Sequence, residues 1–322
     1  MYVQTELCDA QASLANSPQS TFSGHERWLI TGASGQLGRY FLINWKKFSS
    51  SNDTLLAISR NGGTIAGHQL ETLDITDGAA LLETLEKYSP TRILHLAGVS
   101  RPSEAELNAK VAWAVHVEAT KVLAEWASVH CKWMFYASSD FVLAGNGHGL
   151  QDEYAPVSTR TVYARSKLEG ERVLLETTIG CVGRLSMLWD TTLLCPQQPW
   201  GKLVSKLQKG ITVNGIVDEW RTPLRFSDAA EIIHALGTAS AGGSRGFQGL
   251  INIGGSQVTS PYRLICSLRD KIAPKTQVTP VTREHYSPSF PRPENVALNT
   301  SRLQNIMANL GLHKPESILL GQ

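Results

Sequence analysis

The sequence predicts an α/β fold: a doubly wound parallel sheet of the Rossmann type with a smaller C-terminal lobe. From residue 27 to residue 188, short apolar segments alternate with longer amphipathic ones, which is typical of strands and helices in βαβ units. A glycine-rich turn follows the first apolar segment and leads into the first amphipathic one. With 322 residues, 42% of them hydrophobic, the chain is long enough for one large domain or two smaller ones.

Each predicted strand is a short apolar run. The strands cover residues 27–31, 54–59, part of 68–76, 92–98, 132–139 and 180–188. The helices between them cover 35–48, 77–88, 108–130 and 163–176. Right-handed crossovers would place these helices on both faces of the sheet. After residue 188 the pattern is less regular, with helices predicted at 201–210, at 226–239 with Ser227 or Asp228 as N-cap, and at the end of the chain.

The overall charge is close to balanced. The 30 basic and 28 acidic residues leave a net charge of +2, which does not indicate a nucleic-acid partner. No apolar run is long enough to predict a membrane-spanning helix. The 5 cysteines are far apart and form no C-x-x-C motif, so we expect a reduced, cytoplasmic protein without a metal site.

The segment "ITGASGQLGRY" supplies a turn with three glycines between the first strand and the first helix. Glycine allows a tight turn and a close backbone approach, and the helix N-terminus offers free N–H groups to phosphate oxygens. The alternative is a turn that serves packing alone, but the strand before it and the helix after it favour dinucleotide binding. The predicted contacts are Gly32, Ser34, Gly35, Gln36, Leu37 and Gly38.

The end of the second strand indicates which dinucleotide binds. An acidic residue there would bind the 2′-hydroxyl of the adenosine ribose, but this chain has Ser59 and Arg60 at that place. A hydroxyl and a guanidinium suit a 2′-phosphate, which a carboxylate would repel. The sequence therefore favours NADP(H), while NAD(H) stays open, and the alternative for Arg60 is a solvated loop residue.

The segment "VYARSKLEGER" places Tyr163 and Lys167 four residues apart on one helix, so their side chains lie on the same face. A cation beside a phenol lowers the pKa of the phenol, so we expect Lys167 to make Tyr163 an acid–base group near neutral pH. A surface pair without a function is the alternative. Ser139 ends a predicted strand 24 residues before Tyr163.

Several motifs together resemble the extended branch of the short-chain dehydrogenase/reductases, and most closely the dTDP-4-dehydrorhamnose reductases. They are "TGASGQLG", "SSDFVLAG", "YARSKLEGE" and "RPENVALNTSRL", and the resemblance extends over about residues 27 to 315. The composition and the pattern of elements divide the chain into three segments: a polar, flexible leader at 1–26, a dinucleotide-binding domain at 27–188, and a mainly substrate-binding lobe at 189–322.

The resemblance also implies roles for single residues. Ser139 would bind the substrate carbonyl, Tyr163 would donate the proton, and Lys167 would hold the cofactor ribose and tune Tyr163. Asp74 and Ile75 would contact the adenine. The segment of Leu96, Ala97 and Gly98 would line the cofactor.

The sequence departs from the family pattern at several positions. These departures bear on which substrate binds more than on which reaction is catalysed. His116 stands where the family usually has an asparagine, and its role is left open. Met187 stands where a tryptophan is common, and Trp189 two residues later either replaces it or belongs to the core. Candidate partners for a substrate diphosphate are Arg221, Arg225 and Arg292.

The resemblance implies an NADPH-dependent reductase of a keto group, the 4-keto group of a nucleotide-linked deoxysugar being the favoured substrate. One alternative is a sugar-nucleotide epimerase of the same superfamily. The other is a non-catalytic regulatory subunit that binds NADP, which the presence of Ser139, Tyr163 and Lys167 disfavours. The expected partner is a small-molecule keto substrate, and a homodimer is compatible with the resemblance.

Overall fold

The computed structural model describes residues 25–190, 196–239, 246–287 and 290–310. The predicted leader at 1–26 lies outside these residues except for its last two positions. Parts of the predicted loop after Trp189, of the proline-rich segment near residue 290 and of the C-terminal end also lie outside them.

The strands of the described residues are mostly short. They are β1 (Arg27–Thr31), β2 (Thr54–Ser59), β3 (Gly63–Ile65), β4 (His68–Thr72), β5 (Arg92–His95), β6 (Trp133–Ser139), β7 (Gly180–Leu185), β8 (Leu188–Trp189), β9 (Val213–Ile216), β10 (Leu224–Arg225), β11 (Gly249–Ile253) and β12 (Val278–Val281).

Helices connect the strands of the main sheet, and further helices lie in the second half of the chain. They are α1 (Gln36–Ile43), α2 (Trp45–Phe48), α3 (Gly78–Tyr88), α4 (Pro102–Leu107), α5 (Ala109–Trp113), α6 (Ala119–His130), α7 (Val162–Leu175), α8 (Pro199–Gln208), α9 (Phe226–Thr238), α10 (Pro261–Ile272), α11 (Arg283–Tyr286) and α12 (Ser301–Asn309). A π-helical turn, Ala114–Glu118, joins α5 to α6. No helix among the described residues is long and apolar enough to cross a membrane.

The main sheet has the strand order β11-β7-β6-β5-β1-β2-β4-β3. All neighbours are parallel except β3 and β4, which form an antiparallel hairpin at one edge. The predicted doubly wound fold is therefore confirmed. The order reverses at β1, between β2 and β5, and such a reversal opens a crevice at the carboxyl ends of the strands. The outermost strand, β11, comes from beyond residue 188, so the sheet crosses the predicted domain boundary.

Separate apolar clusters cover the two faces of the sheet because successive residues of a strand point to opposite sides. On β6, Trp133 and Phe135 pack into one cluster, together with residues of α1 and α9. Met134 and Tyr136 pack into the other cluster, together with residues of α3 and α6. Both faces are thus buried, as a parallel sheet requires.

Local details differ from the sequence prediction. The predicted helix at 35–48 is interrupted at Asn44, whose side-chain amide donates to the carbonyl of Tyr40 at 2.8 Å and competes with helix hydrogen bonds. The predicted N-cap of α9 was wrong. Arg225 occupies the cap position, and Ser227 and Asp228 lie inside the first turn. The hairpin strand β3 and helix α4 were not predicted, because short elements carry little periodicity.

A buried ion pair fastens α7 to the sheet. Arg184 of β7 contacts Glu171 of α7 with Nη2–Oε2 at 2.8 Å and Nε–Oε1 at 3.1 Å. Ser138 at the end of β6 donates to the same carboxylate. The pair fixes the helix that carries Tyr163 and Lys167 relative to two strands.

We predict that Arg184→Met lowers the free energy of unfolding by about 3–5 kcal/mol, because it leaves the buried Glu171 carboxylate without its cation. Denaturant unfolding followed by circular dichroism measures the loss. The control is Lys121→Met, which removes an exposed helix pair with Glu125 and should leave stability nearly unchanged. Equal stability of the two variants would contradict the structural role of the pair.

Candidate active site

The predicted site residues come together at one edge of the sheet. The carboxyl ends of β1, β2, β5 and β6 meet there. Gly32 and Leu96 directly follow β1 and β5, and Ser59 and Ser139 are the last residues of β2 and β6. Helix α7 runs beside this edge and contacts β6 and the turn that follows it. Residues that are more than 130 positions apart in the sequence thereby form one cleft.

The glycine turn approaches the segment after β5 closely. Gly32 has a φ of +69°, and a Cβ there would lie 2.6 Å from the backbone nitrogen of Ala97. A Cβ on Gly38 would lie 2.6 Å from the carbonyl oxygen of Gly32. Both positions therefore admit only glycine. Gly35 is the N-cap residue of α1, and no side chain caps this helix, so its first N–H groups are left for an anion.

The residues predicted to select the cofactor lie in different environments. Ser59 is buried, and its hydroxyl donates to the carbonyl of Gly62 at 3.2 Å. Arg60 is exposed and forms no hydrogen bond with the residues that the structure describes. Asp74 is exposed as well, and its carboxylate accepts from the backbone and the hydroxyl of Thr76, which lower its pKa. Ile75 is buried in the core.

The ring of Tyr163 packs edge-on against Phe141 at 6.3 Å and against His116 at 5.8 Å, near the end of β6. Burial raises the pKa of Tyr163 to about 12, and the nearby Ser139 hydroxyl only partly opposes this effect. The predicted acidification of Tyr163 by Lys167 is therefore wrong for this structure, and the phenol stays protonated.

Lys167 lies one helical turn beyond Tyr163, but its ammonium group is directed elsewhere. Its Nζ donates to the carbonyl of Ala137 at 2.8 Å and lies 4.8 Å from the centre of the Tyr136 ring. Burial lowers the pKa of Lys167 to about 7, and the charge of Glu171 opposes the shift. The Nζ also borders Gly98, where a Cβ would approach it to 3.1 Å. The lysine therefore faces the segment predicted to line the cofactor.

His116 connects that segment to α7. Its Nε2 accepts the backbone N–H of Val99 at 2.9 Å, so in the neutral ring the proton is on Nδ1. Nδ1 then donates to Ser166 Oγ at 2.8 Å, and Ser166 donates to the carbonyl of Tyr163 at 3.1 Å. Burial and the nearby Lys167 lower the pKa of His116 strongly, which keeps the ring neutral.

A second buried histidine, His95, extends the same polar chain to β1. Its Nδ1 lies 2.7 Å from Thr31 Oγ1, and its Nε2 lies 3.1 Å from Thr120 Oγ1. Thr120 in turn donates to the carbonyl of His116 at 2.7 Å. Burial lowers the pKa of His95 to about 3. The sequence analysis included His95 only as the start of the segment 95–98 and gave it no role of its own, since a histidine at a strand end has no distinguishing pattern.

Four charged residues beside Ser139 form a group here called the four-charge network: the buried Asp140, Arg221 and Glu219, and the partly buried Arg292. Arg221 Nη1 contacts Asp140 at 3.1 Å, and Arg221 Nε contacts Glu219 at 2.6 Å. Arg292 Nε contacts the other oxygen of Glu219 at 2.7 Å. Both guanidinium groups lie over the ring of Phe141, at 4.4 and 4.8 Å from its centre. Arg221 is therefore enclosed by protein groups and offers no open surface to a substrate diphosphate.

The other two substrate candidates lie away from this group. Trp189 is 2% exposed and packs edge-on against Trp200 at 6.4 Å, so it belongs to the core, the second of the two roles left open for it. Arg225 contacts Asp228 at 3.3 Å in the first turn of α9.

A cavity of about 210 Å³ opens next to Phe141 and Arg292. A neighbouring cavity of about 460 Å³ shares Arg283, Pro291 and Arg292 with it. Arg160 also lines the first cavity, so three guanidinium groups surround it against one carboxylate, that of Glu294. Arg160 and Arg283 were missed by the sequence analysis, because only the fold brings them beside Arg292.

Comparison with known proteins identifies similar chains. The methionine adenosyltransferase 2 subunit beta of Xenopus tropicalis is 28% identical over 284 residues, which are 87% of this chain and 82% of that protein. The dTDP-4-dehydrorhamnose reductase of Streptomyces griseus is 28% identical over 272 residues, which are 81% of this chain and 84% of that protein.

A solved structure shows the same fold: the dTDP-4-dehydrorhamnose reductase of Bacillus anthracis in complex with NADP. It is 18% identical, with a TM-score of 0.76, and the match covers 91% of this chain and 96% of that one. The predicted resemblance to sugar-nucleotide reductases of the extended short-chain type is thus confirmed. The model of the RmlD substrate binding domain matches residues 26–314, and the chain therefore belongs to this family.

Proposed function

We propose that the protein is an NADPH-dependent reductase of a keto group, with the 4-keto group of a nucleotide-linked deoxysugar as the favoured substrate. One observation carries the proposal: Ser139, Tyr163 and Lys167 lie together beside the glycine turn, at the carboxyl edge of the sheet. The Streptomyces griseus relative is named for a reaction of this class, which supports the choice of substrate.

The cleft suits a nicotinamide dinucleotide. The uncapped N-terminus of α1 offers N–H groups to the pyrophosphate, and the exposed Arg60 offers a guanidinium to a 2′-phosphate. Ser59 would accept or donate at the same place. Leu96 and Ala97 are partly buried and Gly98 is exposed, and this segment would line the nicotinamide half. Bound NADPH would supply the hydride for the carbonyl carbon.

Tyr163 would supply the proton. As the hydride reaches the carbonyl carbon, the negative charge moves to the carbonyl oxygen, and the phenol proton of Tyr163 completes the alcohol. A phenol that is protonated at neutral pH suits reduction, because reduction consumes this proton. Ser139 would stabilise the alkoxide, and solvent would return a proton to Tyr163 after the alcohol leaves.

The cavity beside Phe141 is the proposed position of the nucleotide end of the substrate. Guanidinium groups bind diphosphate oxygens well, and Arg160, Arg283 and Arg292 line this cavity. Arg221 and Arg225 are weaker candidates because neither of them lines this cavity.

A second candidate function is that of a subunit in a methionine adenosyltransferase. The similarity to the beta subunit of Xenopus tropicalis, at 28% identity, is the observation that favours it. NADPH oxidation by the purified chain with a panel of nucleotide-linked keto sugars separates the candidates. Net loss of NADPH indicates a reductase rather than an epimerase. Binding of NADPH without turnover, together with co-purification of an adenosyltransferase subunit, indicates the regulatory role.

We expect Tyr163→Phe to lower the turnover number by about 10²–10⁴-fold, because it removes the proton donor. The dissociation constant for NADPH should stay close to that of the unaltered protein. Steady-state kinetics at the nicotinamide absorbance and fluorescence titration of NADPH measure the two effects. Tyr154→Phe, at a tyrosine that is 86% exposed, is the matched control. Full turnover by Tyr163→Phe would rule out the proton-donor role.

Arg60→Ala should reduce the preference for NADPH over NADH by about tenfold or more, because one charge-assisted hydrogen bond to the 2′-phosphate is lost. Affinity for NADH should change little. Dissociation constants for both cofactors measure the ratio, with Arg172→Ala, at an exposed arginine of α7, as the control. An unchanged ratio would show that Arg60 does not recognise the phosphate.

The pKa of Lys167, about 7 in the free protein, predicts that binding of the anionic cofactor takes up a proton. The negative charges favour charged lysine and raise its pKa, so affinity for NADPH should fall as the pH rises above about 7. Calorimetry at mildly alkaline pH, in buffers of different ionisation enthalpy, counts the protons. Lys167→Met should abolish the uptake and Lys121→Met should retain it; uptake that survives Lys167→Met would assign the proton to another group.

A further inference from the structure

Asp140 directly follows Ser139, and the proposed reaction has not used it. Its side chain is fully buried. The carboxylate accepts hydrogen bonds from Ser139 Oγ at 3.2 Å, from Ser186 Oγ at 3.1 Å and from Arg221 Nη1 at 3.1 Å. A carboxylate removed from water stays ionised only with such donors. Asp140 therefore places a negative charge one hydrogen bond from the proposed catalytic serine.

The rest of the four-charge network maintains this charge. Arg221 alone would leave a surplus positive charge in a buried place, but Glu219 binds its Nε at 2.6 Å. Arg292 then neutralises Glu219 through two hydrogen bonds, at 2.7 and 3.1 Å. Two cations and two anions alternate, so no charge is left uncompensated in the interior. Arg292 is the member that reaches the cavity.

The hydrogen bonds around Ser139 have one consistent direction. The serine has a single proton, which it donates to Asp140. One of its lone pairs accepts the backbone N–H of Phe141 at 3.2 Å. The Ser139 hydroxyl is also near the phenol of Tyr163, where a hydrogen bond that it donated to the phenolate would lower the pKa of Tyr163. In the structure the one proton of Ser139 instead goes to the Asp140 carboxylate.

We propose that Asp140 is a positioning residue that keeps the proton on Tyr163, because it holds the hydroxyl of Ser139 toward itself and away from the phenol oxygen. A free Ser139 hydroxyl would donate to the phenolate and favour its formation. The proposal rests on the proposed function, since only reduction of a ketone needs the protonated phenol. The proposal also implies that the four-charge network favours reduction of the ketone over oxidation of the alcohol.

The titration of Tyr163 tests the proposal without any substrate. The protein is labelled with tyrosine carrying ¹³C at Cζ, and the Tyr163 signal is assigned by its absence from Tyr163→Phe. Asp140→Asn removes the negative charge and releases the Ser139 hydroxyl, so the midpoint of the Tyr163 titration should move to lower pH by about one pH unit or more. Because the Tyr163 titration needs no substrate, its result does not depend on whether the protein reduces any keto compound.

The matched control is Glu153→Gln, at another buried carboxylate, which accepts the backbone N–H of Asn252 at 2.9 Å. It should leave the Tyr163 midpoint in place. A Tyr163 midpoint that is the same in Asp140→Asn as in Glu153→Gln would overturn the proposal.

A second measurement needs no change at Asp140, in case Asp140→Asn does not fold. Burial raises the pKa of Asp140 to about 6, and the charge of Arg221 opposes the shift. In the unaltered protein the Tyr163 signal should therefore show a smaller step near pH 6. The facing Arg221 stays charged, and Glu219 titrates lower because its two arginines outweigh its burial. The step should persist in Lys167→Met, and its absence there would also overturn the proposal.

Discussion

Burial of polar and charged groups at the carboxyl edge of the parallel sheet is the constraint on which this site depends. Removal from water disfavours every charge, so it sets the protonation state of each group: the phenol of Tyr163 keeps its proton, His95 and His116 are neutral, and the ammonium group of Lys167 titrates near 7. Each group then needs a hydrogen-bond partner, and the fold supplies one nearly everywhere. The site is therefore a set of connected polar chains rather than a group of independent residues.

Two of these chains meet at Tyr163 from opposite sides. The first comes from β1 through His95, Thr120 and His116, and it ends at Ser166 and the backbone of Tyr163. The second comes from the cavity through the four-charge network and ends at Ser139, near the phenol of Tyr163. The first fixes the backbone of the helix relative to the segment after β5, and the second is the one that we propose to act on the proton of Tyr163.

Membership in the RmlD substrate binding domain family leaves two kinds of function open, since relatives of equal identity are named as a reductase and as a subunit of a methionine adenosyltransferase. We propose the reductase because Ser139, Tyr163 and Lys167 lie together at the carboxyl edge of the sheet. The four-charge network beside Ser139 has a cost in stability, because buried charges are rarely stabilising overall.

The sequence by itself determined the doubly wound fold and the position of the glycine turn, because apolar periodicity and motif spacing are local properties. The catalytic roles of Ser139, Tyr163 and Lys167 come from the family resemblance and stay a proposal. The sequence did not determine the charge state of Tyr163. Helical spacing predicted that Lys167 would acidify the phenol, but the ammonium group binds Ala137 and burial dominates the pKa. The four-charge network and the cavity arginines also required the tertiary structure. Arg221 and Asp140 are 81 positions apart, and only the packing of the C-terminal lobe on the sheet brings them into contact.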